Sequence, residues 1–180
     1  MIRAGKREML EMWAKKENID IILIQETHVN QAGVERRKEY TIFFSENDKL
    51  LDDAGNQKKI THAGVAIMVR NKLLDSILEI NPIDDRLMSI TLRGAVQTTF
   101  INTYMYTAEN TENNSYRYIT LKAHYIKYKK YGPTFVGGIL THALQTNLTT
   151  MAFDLLESTV LTEHTKQPHL KKTWLAIGTS

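Results

Sequence analysis

The sequence predicts an α/β fold built from two mainly antiparallel sheets flanked by helices, in a single domain spanning residues 1–180. A helical pattern opens the chain, several strand-like segments follow it, and helical and strand patterns alternate in the second half. No internal repeat, low-complexity tract or Pro/Gly-rich linker divides these 180 residues. A chain of this length is long enough to bury a substantial core.

The first half of the chain is predicted to be one helix followed by strands. Residues 4–17 place apolar side chains, Met9 and Met12 among them, at helical spacing among charged ones, which indicates an amphipathic helix. Residues 19–25 are typical of a strand buried on both faces. Further strands, paired mostly antiparallel, are predicted at 40–45, 63–69, 76–80, 87–92 and 98–105, with a polar surface loop at 46–61.

The second half is predicted to mix helices with strands. Residues 111–127 indicate a helix whose buried positions are Tyr116, Ile119, Leu121, Ala123 and Ile126. Other predicted elements are a strand at 134–136, a helix around 149–157 and strands near Val160 and Thr173. The stretch 125–131 alternates lysines with tyrosines and has two interpretations: a surface that binds phosphates while its rings stack on bases, or a solvated helix end.

Composition excludes several classes of protein. No cysteine occurs, so disulfides and thiolate sites are excluded, and any metal must be held by oxygen or imidazole ligands. The longest apolar runs are far shorter than the roughly 20 residues that cross a bilayer, and the first residues lack the apolar segment of a secretory signal. We therefore expect an intracellular protein, nuclear or cytoplasmic, without a membrane partner. A net charge of +3 permits contact with a polyanion without requiring it.

The segment IILIQETH, residues 21–28, joins a buried strand directly to a carboxylate and an imidazole. Ligands of open α/β sheets bind at the carboxyl ends of the strands, so Glu26 is a candidate ligand for a metal or a substrate. Considered alone, Glu26 has a second interpretation, as a loop cap or as the partner of a lysine.

Several ordered landmarks resemble the endonuclease/exonuclease/phosphatase superfamily, and most of all the apurinic-type endonuclease domain of non-LTR retrotransposons. No single motif is specific, but the series is similar to that family in order and approximate spacing over residues 18–174. The landmarks are Gln25-Glu26-Thr27-His28, His62-Ala63-Gly64-Val65-Ala66-Ile67, Asp85-Arg86-Leu87-Met88-Ser89-Ile90, Ile101-Asn102-Thr103-Tyr104, Phe135-Val136-Gly137-Gly138 and Lys172-Thr173-Trp174. The resemblance implies a four-layer α/β sandwich, incomplete at both ends in this chain, with an active site at one edge of the paired sheets.

The resemblance also implies hydrolysis of phosphodiester bonds in DNA with Mg²⁺ or Mn²⁺. Glu26 matches the metal-binding carboxylate, and Mg²⁺ prefers oxygen ligands of this kind. Tyr104 matches a catalytic tyrosine whose hydroxyl lies near the scissile phosphate, and a buried strand tyrosine is the alternative. Arg86 matches the arginine before a family strand, where a guanidinium could bind a phosphate, and an ordinary surface arginine is the alternative. His28 fits a motif position without being a family-wide catalytic group, and is either a substrate-edge or a structural residue.

The chain departs from the family's pattern after Gly138. The family continues with G-D-F-N, whose Asp orients the attacking water and whose Asn contacts the phosphate, whereas here Ile139 and Thr141 stand at those positions. Isoleucine cannot accept a proton, and the Thr141 hydroxyl only partly replaces an amide as a substrate contact. The family's first strand, with its Asn ligand, and its final Asp-His pair have no counterpart. We expect an endonuclease-like domain with impaired activity or, alternatively, an inactive pseudo-nuclease that binds nucleic acid or protein.

Overall fold

The computed structural model describes residues 4–29, 32–45, 63–105, 111–139 and 175–177. Within these ranges the chain forms two α-helices and nine strands, and a 3-10 helix at Asn71–Ser76 joins the fourth strand to the fifth. The elements are α1 (Ala4–Lys16), β1 (Ile21–Gln25), β2 (Gly33–Arg36), β3 (Tyr40–Phe44), β4 (Val65–Arg70), β5 (Ile77–Asp84), β6 (Leu87–Leu92), β7 (Thr98–Tyr104), α2 (Thr111–Lys129), β8 (Thr134–Ile139) and β9 (Leu175–Ile177).

The strands form two sheets. The five-stranded sheet has the order β2-β3-β4-β1-β9, and all its neighbouring strands are antiparallel. The four-stranded sheet has the order β5-β6-β7-β8, in which β7 and β8 are parallel and the other pairs antiparallel. α2 connects β7 to β8, because a parallel pair needs a crossover that returns the chain to the same end of the sheet.

The two sheets pack face to face through alternate residues of their strands. Ile21 and Leu23 of β1 belong to the same buried cluster as Met88 and Ile90 of β6 and Phe100 of β7. Residues with the opposite parity on the same strands point outwards, as expected from the two-residue period of a strand. Burial of this apolar surface, at about 25 cal/mol per Å², is the main force that holds the sheets together.

Each helix covers the outer face of one sheet. Ala14 of α1 is buried against Ile22 and Ile24 of β1, and Leu121 of α2 is buried against Ile101 of β7. The order of layers is therefore α1, five-stranded sheet, four-stranded sheet and α2. This order confirms the predicted four-layer α/β sandwich of two mainly antiparallel sheets flanked by helices.

The predicted buried face of α2 is wrong at four of its five positions. Leu121 is fully buried, but Tyr116, Ile119 and Ile126 are exposed, and so is Ala123. On α1, Ala14 is buried, whereas Met9 and Met12, which also lie at helical spacing, have side chains that are more than two-thirds exposed.

The polarity of the underlying sheet explains which face of α2 is buried. Arg117 binds both carboxylate oxygens of Asp84, and the Tyr128 hydroxyl accepts hydrogen bonds from Asn81 (3.2 Å) and Ser89 (3.4 Å). A helix face of isoleucines would leave these polar groups buried without partners, which is unfavourable. Tyr125 is buried as well, so only Tyr131 in the stretch 125–131 presents an exposed ring.

Most predicted strands occur, with shifted boundaries. β2 was not predicted, and β5 extends four residues beyond its predicted end at Ile80. β9 lies close to the strand predicted near Thr173. The predicted loop at 46–61, the helix around 149–157 and the strand near Val160 lie outside the described residues. Among the helices that the structure describes, none is long and apolar enough to span a bilayer.

Candidate active site

After β1 the chain leaves the core through residues with left-handed backbone conformation. Gln25 forms the last pair of the β1–β4 ladder, and Glu26 and His28 then adopt φ angles of 54° and 52°. Positive φ is uncommon for residues other than glycine. Gln25 and Thr27 are buried, whereas Glu26 is partly exposed. The left-handed turn therefore carries the carboxylate from the buried strand to the edge between the two sheets.

Backbone contacts with residues 63 and 64 hold this turn in place. The amide of Thr27 donates to the Gly64 carbonyl (3.1 Å), and the amide of His28 donates to the Ala63 carbonyl (3.0 Å). Gly64 itself has a φ of 106°, and a Cβ there would overlap the Thr27 hydroxyl. A glycine at position 64 is thus what allows the two segments to lie this close together.

Glu26 meets Tyr104 from the opposite sheet. The Tyr104 hydroxyl donates a hydrogen bond to Glu26 Oε1 at 3.0 Å, and Tyr104 is the last residue of β7. Burial raises the pKa of the Tyr104 hydroxyl, and the neighbouring Glu26 carboxylate raises this pKa further. The phenol therefore stays protonated at neutral pH and acts as a hydrogen-bond donor.

Arg86 completes a row of three polar side chains. Its guanidinium carbon lies 4.8 Å from the centroid of the Tyr104 ring, and its carbonyl accepts a hydrogen bond from the Tyr104 amide (2.8 Å). Stacking of a planar cation on an aromatic ring is favourable, and Nη1 of the same guanidinium lies 3.5 Å from the Met105 carbonyl oxygen. The arginine also lowers the pKa of Tyr104, against the larger effects of burial and Glu26.

A buried amide pair lies directly beneath this row. Gln25 Nε2 donates to Asn102 Oδ1 at 2.6 Å, and Asn102 Nδ2 donates to the carbonyls of Ile24 (2.9 Å) and Ala66 (2.8 Å). Neither amide is among the site residues predicted from the sequence. The sequence does contain a signal for this pair, because each amide interrupts an apolar strand pattern. A polar side chain at such a position needs a hydrogen-bond partner inside the core.

The structure brings Glu26, Tyr104 and Arg86 together, and these are three of the five predicted site residues. His28 lies two residues beyond Glu26 on the same left-handed turn and is partly buried. Thr141 lies outside the described residues. Ile139 ends β8, and its backbone pairs in register with that of Tyr104. The backbone of Ile139 is therefore adjacent to the row.

The described side chains could supply only a small part of the ligand shell of a cation. No group of three or more His, Asp or Glu side chains converges within the parts of the chain that the structure describes. Protein-bound Mg²⁺ often uses only one or two carboxylates and completes its shell with water and substrate phosphate. A carboxylate that accepts one hydrogen bond keeps further acceptor capacity, so Glu26 remains available as a single ligand.

No known protein family, curated protein or solved structure matches the chain.

Proposed function

We propose that this protein is a phosphodiesterase-type domain that acts on DNA with Mg²⁺ or Mn²⁺, with impaired activity. The observation that carries the proposal is the hydrogen bond between Tyr104 and Glu26, which links the ends of two strands from opposite sheets. A carboxylate, a protonated phenol and a guanidinium together complement a cation and a phosphate. Charge-assisted hydrogen bonds from arginine to phosphate are among the stronger polar contacts in proteins.

Each side chain has a distinct role in this proposal. Glu26 holds the divalent cation, which when bound polarises the phosphate and neutralises its charge. Arg86 contributes a fixed positive charge that binds and orients a phosphate oxygen. Tyr104, whose single hydroxyl proton is donated to Glu26 Oε1 in the free protein, redirects that hydrogen bond to a phosphate oxygen when substrate is bound. His28 and Thr141 are assigned to the edge of the substrate.

Cleavage of supercoiled plasmid in the presence of Mg²⁺ tests this proposal. We expect slow nicking that stops when the cation is chelated and that Glu26→Gln lowers by at least about 10²-fold, since loss of one electrostatic group costs about 3 kcal/mol. Glu8→Gln is the matched control, because Glu8 is an exposed acid on α1. Equal nicking by the wild-type protein and Glu26→Gln contradicts the proposal.

A second function, binding of nucleic acid without cleavage, is favoured by one observation. The backbone of Ile139 pairs with that of Tyr104, and the resemblance implies a water-orienting acid at this position of the chain, where the residue is isoleucine. We propose the pseudo-nuclease as the alternative on this basis. Binding to duplex DNA that weakens steeply with salt, without cleavage in Mg²⁺ or Mn²⁺, supports the alternative.

Replacement of Ile139 separates the two functions. If the rest of the site is competent, Ile139→Asp supplies a proton acceptor and increases nicking by about 10²-fold or more. Ile139→Asn is the control, because it introduces a polar group of the same size that cannot act as a base. If neither variant cleaves although both fold and bind DNA, the chain is a binding module.

A further inference from the structure

We propose that Gln25 and Asn102 form an amide clasp between the sheets that positions Glu26 against Tyr104. The clasp deepens the function proposed above and rests on it, because positioning matters only if the carboxylate and the phenol act together. Both amides are positioning residues in this proposal, since they act through their neighbours.

The clasp crosses from one sheet to the other at three points. Asn102 belongs to β7, yet its Nδ2 group donates to backbone carbonyls of β1 and β4, at Ile24 and Ala66. Its Oδ1 accepts from Gln25 of β1. Asn102 is completely buried and Gln25 is 3% exposed. A single side chain of the four-stranded sheet is therefore fixed to two strands of the five-stranded sheet.

The clasp lies next to the site along both strands. Gln25 directly precedes Glu26, and Asn102 lies two residues before Tyr104 on the same face of β7. The relative position of the sheets at the clasp therefore sets the separation between the carboxylate and the phenol. Apolar packing between sheets is non-directional and allows small sliding movements, whereas three hydrogen bonds with defined geometry do not.

The direction of the hydrogen bonds fixes the orientation of both amides. Both protons of Asn102 Nδ2 are donated to carbonyls, so its Oδ1 must face Gln25 and accept. Gln25 must then present Nε2, which leaves its Oε1 buried with no hydrogen-bond partner among the described residues. A buried acceptor without a partner is unfavourable, and a methionine of similar length would remove it but would leave Asn102 Oδ1 without its donor. The number of unsatisfied buried acceptors therefore does not favour glutamine over methionine at position 25.

Gln25→Met tests the positioning role without a large effect on stability. The substitution removes the unpaired Gln25 oxygen but leaves Asn102 Oδ1 unpaired, so the number of unsatisfied buried acceptors stays the same. We expect the thermal midpoint to remain close to that of the wild-type protein. We also expect the pKa of Tyr104 to fall towards the ordinary tyrosine value, because Glu26 is no longer held at the hydroxyl. Titration of ¹³C-labelled tyrosine rings by NMR measures this pKa, with Tyr104→Phe to assign the signal.

A double-mutant cycle distinguishes positioning from a general loss of packing. Gln25→Met should lower the pKa of Tyr104 in the protein that carries Glu26 and leave it nearly unchanged in the Glu26→Gln protein. An equal fall in both backgrounds, or no fall in either, overturns the clasp. Thr99→Val is the control, because it removes a buried hydroxyl contact with Thr91 (3.0 Å) that joins two strands of the same sheet. We expect Thr99→Val to leave the pKa of Tyr104 unchanged.

The readout separates failure of the clasp from failure of the proposed function. If the double-mutant cycle gives the expected result in a protein that never nicks plasmid, the clasp is supported and the proposed catalysis is refuted. Nicking that depends on Glu26, combined with a failed cycle, refutes the clasp alone. In a cleaving protein, Gln25→Met should lower kcat more than it raises KM, because the clasp orients the reacting groups and does not contact substrate. A change confined to KM overturns the positioning role.

Discussion

The ends of β1 and β8 reach the same edge of the molecule and use similar backbone devices, but they carry different chemistry. β1 ends in a left-handed turn that packs against Gly64, and β8 places Gly138, with a φ of 137°, against the Thr103 carbonyl. The first turn presents the carboxylate of Glu26. β8 ends at Ile139, whose backbone pairs with that of Tyr104. The backbone shape of this edge thus depends on glycines and strand register. It does not depend on whether a reactive side chain is present at the end of β1 or of β8.

The largest effect is expected from Gly138→Ala at the end of β8. A Cβ there would overlap the Thr103 carbonyl oxygen, a backbone atom that cannot move without breaking the β7–β8 ladder. The positive φ adds strain for any other residue. We expect a loss of about 3 kcal/mol or more in the free energy of unfolding, measured by denaturant titration.

Gly33→Ala is the matched control for this comparison. A Cβ at Gly33 meets no atom within 4 Å, and its backbone is not in the positive-φ region. We expect a change of less than about 1 kcal/mol, with stabilisation as the expected direction, because alanine restricts the unfolded chain more than glycine does. A similarly small change in the free energy of unfolding for Gly138→Ala would show that stability does not require the close approach of β7 and β8.

The same contrast explains what could be predicted from the sequence. The buried strands at 19–25, 87–92 and 98–105 were predictable because their apolar patterns directly specify burial. The buried face of α2 was not predictable, because apolar residues occur on both sides of that helix. The face that is buried depends on Asp84, which lies in a distant strand and binds Arg117. Glu26 was predictable from its place after a buried strand, whereas its bond with Tyr104 depends on the register between two sheets, which no local pattern encodes.

A smaller effect is expected from Gly64→Ala at the end of β1. A Cβ there would overlap the hydroxyl of Thr27, and a side-chain oxygen can move by rotation more easily than a backbone carbonyl. The positive φ of Gly64 still introduces strain. We expect a loss of about 1–2 kcal/mol in the free energy of unfolding.

The consequence of Gly64→Ala for the site should exceed its consequence for stability. Displacement of Thr27 moves the adjacent Glu26, so the hydrogen bond to Tyr104 should weaken and the pKa of Tyr104 should fall. Gly5→Ala on α1 is the control, because a Cβ at that position meets no atom within 4 Å. An unchanged Tyr104 pKa in folded Gly64→Ala would show that the β1 turn tolerates a side chain at position 64.

The smallest effect is expected from the titration of Tyr104. Its pKa in the folded protein is raised above the unfolded value of 10.0 by burial and by Glu26. The resulting stabilisation is complete below pH 10 and is lost as the pH rises from there through the folded pKa. We expect Tyr104 to contribute less than about 1 kcal/mol, because the pair is partly exposed to solvent.

The steepness of unfolding in base measures this contribution. The free energy of unfolding should fall above pH 10 in the wild-type protein and fall less steeply in Tyr104→Phe. Some dependence should remain in that variant, because burial also raises the pKa of Tyr40 and of Tyr118. Glu26→Gln should produce a slope between those of wild type and Tyr104→Phe, since it removes the effect of the carboxylate and keeps the burial. If its slope equals that of wild type, the Glu26 carboxylate does not act on Tyr104, and the chemical difference between the ends of β1 and β8 has no effect on this hydroxyl.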